Sequence, residues 1–380
     1  MHNLPRLRND ASLHCVARTL ACLGLATLSA CGPTAAHKPG QTDSSGVVSV
    51  AEPHTSVMRT AQVDPLPGAD AAPDKLVVMT WNVEWMFDHD QSDNRSELSR
   101  EQSAPSAEYW QWKVDAVADA IAKCDATIVA LQEIEGVQTL RDIAASLRER
   151  HRKSYRSAFI EGSDSFTEQD VGILQRSGLM HYRRHEQSKA MFDSGIYYNV
   201  SKHIAARFQW AAVQSPLTVM NVHFRATADA QSERTRQGRL ARAWLEPEVA
   251  AGEDVIILGD VNSEYAAGQN AGEMDHLLHG ALTGSDRAPM IDLLIHAPAE
   301  ARRTHLILNK QFDRILVSPS LMIDNPEGRD WVFSAISVRP ELALRGSNDG
   351  EAHWRERLTM STAELDVSDH SPVVATFELR

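Results

Sequence analysis

The chain has 380 residues, of which 43% are hydrophobic and 23% charged, and its formal net charge is −13. That is ordinary globular composition, with length for one large domain or two small ones. The acidic balance repels phosphate backbones at long range and argues against a protein that coats nucleic acid; it does not exclude a nuclease with a local metal and a few local arginines.

In chain order, Arg6, Arg8 and Arg18 precede the apolar run LACLGLATLSA (20–30), which is too short to span a bilayer as a stable helix. Basic residues, a short apolar segment and small residues describe an export signal over residues 1–30. Its removal takes away three arginines and one aspartate, leaving a net charge of −15. Cys15 and Cys22 leave with it, so Cys31 and Cys124 provide no disulfide framework. Cys124 precedes the run ATIVAL and reads as a small buried residue. Residues 31–74, rich in Pro, Ser, Thr, Ala and Gly without periodicity, predict a flexible tether.

From Lys75 to Arg380 the texture changes to alternating strands and amphipathic helices, which predicts one domain over 75–380. KLVVMTWNV is a strand. Residues 106–123 form a helix with Trp110, Val114, Val117 and Ile121 on one stripe. ATIVALQEI is a buried strand, and 137–149 is a helix with Val137, Leu140, Ile143 and Leu147 on one face. DVGILQR, SGIYYNV and LTVMNVHF read as strands, and 231–246 as a polar helix with Leu240 and Trp244 inward. The strands DVIILGDVN, FDRILVSP and PVVATFEL follow, with a long surface loop predicted over 344–364. Hairpin-like neighbours among the helices predict mixed sheets.

Polar groups collect at the ends of the most apolar strands. LVVMTWN ends in Asn82, IVALQE in Gln132 and Glu133, and VIILGDVN in Asp260 and Asn262. LTVMNVHFR places Asn221, His223 and Arg225 on one face, because alternate strand residues point the same way. FDRILVS begins with Asp313, and Asp369 and His370 directly precede PVVATF. Singly, each has an ordinary explanation as a turn former, a helix cap or a satisfied histidine. Together, at the borders of the most apolar segments, they point to one site.

In order and spacing, TWNVEW, LQEIE, NVHFRA, ILGDVN, FDRILVS and SDHSPVV resemble the endonuclease/exonuclease/phosphatase superfamily, over about residues 75–380. That superfamily includes secreted deoxyribonucleases, abasic-site endonucleases, inositol-polyphosphate phosphatases and neutral sphingomyelinases. The resemblance implies an α+β sandwich of two packed mixed sheets flanked by helices, four layers deep, with the active site at one edge. It implies Glu133 as main ligand of a divalent cation, Mg²⁺ or alternatively Mn²⁺, with Asn82 and Asp369 as direct or water-mediated ligands; oxygen donors suit a hard cation. It implies that Asp313 orients His370, Asp260 handles the attacking water, Asn262 holds a phosphate oxygen and His223 faces the leaving oxygen. Which group is the formal base stays open. Asn221 and Arg225 are expected toward substrate, with a solvated strand-end cation the equal alternative for Arg225; Asp170, at a strand entrance, reads equally as a site neighbour or a turn former.

Leu28-Ser29-Ala30-Cys31 resembles the lipobox of bacterial lipoproteins, implying that Cys31 carries lipid and anchors the chain on a membrane. An ordinary secretory signal is the alternative. Gly32 in place of aspartate implies outer-membrane delivery in a two-membrane cell. The expected function is a metal-dependent, nuclease-like phosphodiesterase. A phosphatase or phospholipase acting on phospholipid or inositol phosphate is the second reading, and a catalytically silent binding lipoprotein the third.

Overall fold

The computed structural model describes residues 58–62, 70–269, 272–280, 289–345 and 350–380. The export signal and Cys31 lie outside them. The first sheet is built from β2 (Lys75–Met86), β3 (Ile128–Ile134), β4 (Arg156–Ala158), β5 (Asp170–Gln175), β12 (Trp331–Val338) and β13 (Val373–Leu379), in the order β12-β13-β2-β3-β5-β4. The second contains β1 (Met58–Gln62), β6 (Leu179–His185), β7 (Lys202–Phe208), β8 (Leu217–His223), β9 (Asp254–Asp260), β10 (Ile291–Asp292) and β11 (Asp313–Val317). Its order is β1-β6-β7-β8-β9-β11-β10. Strand β1 falls within the stretch expected to be a tether and pairs antiparallel with β6.

Each sheet is mixed, with one parallel pair: β2 with β3 in the first and β8 with β9 in the second. The remaining named pairs are antiparallel. This has a direct consequence for placement. Parallel partners bring their C-terminal ends to the same edge, and an antiparallel neighbour brings its start there.

The apolar runs are continuous because the strands are covered on both faces. Along β9, Ile256 and Leu258 enter the core between the sheets, whereas Val255 and Ile257 face the outer core. Along β3, Ile128 and Ala130 face inward and Val129 and Leu131 outward. Helices α2 (Ala107–Cys124) and α3 (Val137–His151) cover the first sheet through Val114, Val117, Ile121, Leu140, Ile143 and Leu147. The Ser106 hydroxyl caps α2 by accepting the Tyr109 N–H at 3.2 Å, and Asp125 ends it in the left-handed region. Helix α5 (Gln231–Ala250) covers the second sheet through Leu240, Trp244 and Leu245. The order of layers is helix, sheet, sheet, helix. Four shorter helices, α1 (Glu97–Gln102), α4 (Lys189–Asp193), α6 (Glu273–His279) and α7 (Ala352–Glu356), sit in the connections.

Some expectations need correction. SGIYYNV forms no strand; the strand follows it as β7, KHIAARF. Its β-branched and aromatic residues suit a pleated surface, but no neighbouring strand pairs with them there. Strands β6 and β12 carry charged or exposed residues along much of their length, so an apolar pattern does not announce them. The stretch expected as a surface loop over 344–364 contains α7, whose His353 is buried. Cys124 ends α2 half-buried.

Candidate active site

The rows of side chains facing the space between the sheets turn polar at one end. In β2 the row runs Leu76, Val78, Thr80, Asn82; in β3, Ile128, Ala130, Gln132. In β8 it runs Leu217, Val219, Asn221, His223, and in β9 Ile256, Leu258, Asp260. β11 enters with Asp313 and continues inward with Ile315 and Val317. Five rows therefore end at one edge of the sandwich, with Asp369 and His370 arriving there just before β13.

Glu133 departs from this alternation. Following Gln132, it should point toward the helices. Instead its φ is +61°, and the strand register shifts between Gln132 and Ile134. A bulge of this kind re-aims a side chain, and a non-glycine residue in the left-handed region costs about 1–3 kcal/mol that the surroundings must offset. Asn262 turns in the same way, with φ at +49°. Gly259 is required for a different reason: a Cβ there would lie 1.9 Å from the Val222 carbonyl oxygen, and its φ is +131°.

The contacts are short and cross from sheet to sheet. The Asn82 amide nitrogen donates to Glu133 Oε1 at 2.9 Å and to Asp260 Oδ2 at 3.0 Å. Glu133 Oε2 accepts the Trp85 backbone N–H at 3.0 Å. His370 Nδ1 meets Asp313 Oδ2 at 2.7 Å, while its Nε2 lies 3.8 Å from Asp260 Oδ2 and 4.0 Å from Asp369 Oδ1. His223 Nε2 is 3.8 Å from Glu133 Oε1 and 3.7 Å from Asp260 Oδ2. Asp260 Oδ1 accepts the Asn262 N–H at 2.9 Å, and the Asn262 amide donates to the Phe224 carbonyl at 3.2 Å.

Burial sets the protonation of these groups. It pushes Asp260 up to about 7, with the His370 charge pulling the other way. Glu133 and Asp369 are also raised by burial, Glu133 further by the Asp369 charge. Burial would lower His370, but the carboxylates of Asp313, Asp260 and Asp369 together hold it well above the usual histidine range. His223 moves the opposite way: burial, with Lys202 and His370 nearby, keeps it well below. The site thus holds two imidazoles shifted in opposite directions, both facing Asp260.

Residues 79–370 match the model described as the endonuclease/exonuclease/phosphatase family. The chain belongs to this family. No curated protein matches it by sequence. Among solved structures, a humanized D. rerio TDP2 with 14 mutations aligns over 80% of this chain and 100% of its own, at 17% identity and TM-score 0.50. The human nocturnin catalytic domain with bound sulfate anion aligns over 85% and 98%, at 14% identity and TM-score 0.48. The endonuclease/exonuclease/phosphatase from Bacteroides vulgatus aligns over 80% and 99%, at 18% identity and TM-score 0.46. At such identities the likeness is one of fold.

Within this member of the family, the donor set fits a divalent cation on mixed carboxylate and imidazole ligands. Ligand atoms of Glu133, His223 and Asp260 lie within 4.8 Å of one another, as do those of Asp260, Asp313 and His370 and those of His305, Asp369 and His370. Burial raises the pKa of Asp260, Glu133 and Asp369, and a neighbouring carboxylate raises each further. Asn82 is a different matter. Its Oδ1 accepts the Glu84 N–H at 2.9 Å and its nitrogen donates to both carboxylates, so it bridges Glu133 to Asp260.

Asn221 is not at the surface of the site. It is fully buried one layer below His223, donating to the Leu131 and Gly172 carbonyls at 2.9 Å each and accepting from Gln132 at 2.7 Å. Every one of those partners belongs to the opposite sheet, so its role is to pin the two sheets at the depth of the site. Asn221→Ala removes three hydrogen bonds between the sheets, each worth about 0.5–1.5 kcal/mol net. We expect a urea midpoint lowered by the equivalent of about 3 kcal/mol with KM little changed; a raised KM at unchanged stability would return Asn221 to substrate. Arg225 lies beyond the strand end, exposed, with its guanidinium 3.3 Å from the Tyr198 hydroxyl. Asp170 serves the chain itself, accepting the Gly162 N–H at 2.6 Å.

Several neighbours carry no motif in the sequence. Trp354 of α7 donates its indole N–H to Asp369 Oδ2 at 3.0 Å and packs edge-on against His305, 6.0 Å between centroids. His305 packs against His370 with ring centroids 4.5 Å apart and planes tilted by 45°. Glu84, buried and held ionised by Arg357 and His353 against its burial, accepts the Asp369 N–H at 3.2 Å. TWNVEW offered a hint of Glu84, two residues after Asn82. Nothing local distinguishes His305 or Trp354.

Proposed function

We propose that the protein is a Mg²⁺-dependent phosphodiesterase with nuclease-like activity, hydrolysing phosphoester bonds by in-line attack of water. The observation that carries this reading is geometric: His223 Nε2 and His370 Nε2 stand 3.7 and 3.8 Å from the same Asp260 oxygen, with Glu133 beside the first and Asp313 and Asp369 beside the second. In-line attack builds negative charge on the phosphoryl oxygens and on the leaving oxygen, and preorganised donors stabilise that charge more than the ground state. When bound beside Glu133 and Asp369, a divalent cation supplies Lewis-acid stabilisation to a phosphoryl oxygen.

The chain's own residues do the rest. His370, kept protonated by Asp313, presents Nε2–H to a second phosphoryl oxygen. Asp260, titrating at about 7, accepts a proton from the attacking water while the Asn262 N–H and the Asn82 amide hold its carboxylate in place. The Asn262 side chain stands two residues further on to hold a phosphate oxygen. His223 stands across the site, neutral, to orient the leaving oxygen. A positioned acid or base of this kind contributes about 10²–10⁴-fold.

A panel of plasmid DNA, RNA, sphingomyelin and inositol phosphates, with and without Mg²⁺, tests the reading. Hydrolysis of none of them rejects it, and preference for sphingomyelin or inositol phosphates selects a phospholipase or phosphatase over a nuclease.

The sequence features of residues 1–74 support export and a lipid on Cys31, with the protein facing the periplasm or exterior at the outer membrane. Among the described residues no helix is long and apolar enough to cross a bilayer. Cys31→Ser is expected to move the protein from the membrane to the soluble fraction; unchanged sedimentation with membranes removes the anchor.

A further inference from the structure

A cavity of about 950 Å³ opens beside Glu133 and His223. Its size is at the upper end of ligand pockets, about 300–1,000 Å³. The catalytic groups use only its inner end. The remainder is walled by Phe166, Phe192, Tyr198, Arg225 and Arg236, with Trp85 at the junction with the site. Phe166 and Phe192 each expose 70% of their surface. Apolar rings left that open lose transfer free energy at about 25 cal/mol per Å², which something seated on them would recover.

The charges decide what that is. Lys202 is neutralised by Asp164 at 3.3 Å. Arg225 and Arg236 pair with no carboxylate among the described residues; Arg225 donates to the Tyr198 hydroxyl, and Arg236 lies 5.1 Å over the Tyr198 ring. The far wall is therefore aromatic and cationic at once. A phosphocholine headgroup offers one phosphate and one quaternary ammonium, which would occupy one arginine and one ring and leave the second of each unmatched. An inositol phosphate would satisfy the arginines and leave the phenyl rings with a polyol that has no π face. A strand of nucleic acid offers both complements, phosphates for the arginines and bases for the rings. It must be unpaired, because bases stacked inside a duplex cannot turn their faces to protein side chains.

We propose that this cleft is a subsite for unpaired nucleic acid, in which bases stack on Phe166 and Phe192 while Arg225 and Arg236 hold the adjoining phosphates. The assignment rests on the phosphodiesterase reading and names its substrate class. It also resolves the conflict between an acidic surface and a nucleic-acid substrate: recognition comes mainly from stacking, worth about 1–3 kcal/mol per base, with few phosphate contacts. Two such contacts predict a slope of log K against log salt of about −1.4, far shallower than that of a groove-binding protein.

The test measures binding to the purified protein in EDTA by fluorescence anisotropy, using a ten-residue oligothymidylate, an abasic strand of equal length and charge, and a duplex. The base-bearing strand is expected to bind at least about tenfold tighter than the abasic one, and that preference to collapse toward one in Phe166→Ala/Phe192→Ala. Arg225→Ala/Arg236→Ala is expected to weaken both strands and flatten the salt slope. Equal binding of base-bearing and abasic strands, tighter binding of duplex, a preference unmoved by losing both rings, or displacement of the strand by phosphatidylcholine vesicles would each overturn the assignment. Mg²⁺-dependent hydrolysis by the same preparation judges the underlying activity separately. Hydrolysis of some phosphoester without base preference refutes only the subsite. Ring-dependent strand binding with no hydrolysis refutes only the enzyme reading.

Discussion

His370→Ala is expected to lower kcat/KM by about 10³-fold or more, the combined loss of a cationic donor and of its proton. The substitution also strips Asp313, which is fully buried, of its partner. An unpaired buried charge costs about 3–5 kcal/mol, so the single variant should be inactive and less stable together. Adding Asp313→Asn separates the two effects. The double variant should recover most of the lost stability in urea unfolding and none of the activity, because the two residues act as a unit. A single variant that keeps more than about a tenth of wild-type activity would remove His370 from the mechanism.

The pair has a pH signature whose sign follows from its shift. The folded-state pKa of His370 is raised by Asp313, Asp260 and Asp369. Its contribution to stability is therefore full below the unfolded value, about 6.5, and is lost as pH rises through the folded value. The wild type should lose stability on the alkaline side relative to His370→Ala/Asp313→Asn, and the difference between their unfolding midpoints should shrink there.

Glu133→Gln is the second large effect. It keeps the size of the side chain and removes the charge that would hold a cation. Activity should fall by about 10³-fold, and Mg²⁺ should cease to raise the melting temperature. In the wild type a ligand at a hundred times its Kd adds about 2.7 kcal/mol. Without metal the sign reverses. Burial and the Asp369 charge raise the Glu133 pKa, so the ionised carboxylate opposes folding above its unfolded pKa, and that cost is relieved as pH falls through the folded value. Metal-free Glu133→Gln should then melt no lower than the metal-free wild type at neutral pH. A Mg²⁺-dependent rise in the melting temperature of the variant, equal to that of the wild type, would place the cation elsewhere.

Much of the site was legible because it obeys a period of two. Asn82, Asp260, Asp313 and His223 continue rows of inward apolar residues, so their facing follows from strand geometry alone. The same rule misplaced Asn221: sharing a face with His223 says nothing of depth, and one step further from the strand end it is core. Glu133 was found through its motif and against the alternation, since no pattern of residues announces a left-handed bulge. Trp354 and His305 were invisible for another reason. They reach the site from connections, where position is set by tertiary packing and not by periodicity. Strands β6 and β12 escaped because half-exposed and edge strands need no apolar signature, and β7, though buried, was hidden by Lys202, His203 and Arg207 within KHIAARF.

Three contacts among the proposed catalytic side chains, Asn82 with Asp260, Glu133 with His223 and Asp313 with His370, join one sheet to the other. None can be assembled by one half of the sandwich. The catalytic centre is thus a caliper laid across the inner core, its opening fixed by the thickness of Val78, Ala130, Leu258 and Ile315 beneath it. In the proposed mechanism, apolar residues that touch no substrate set the distance at which a proton can pass.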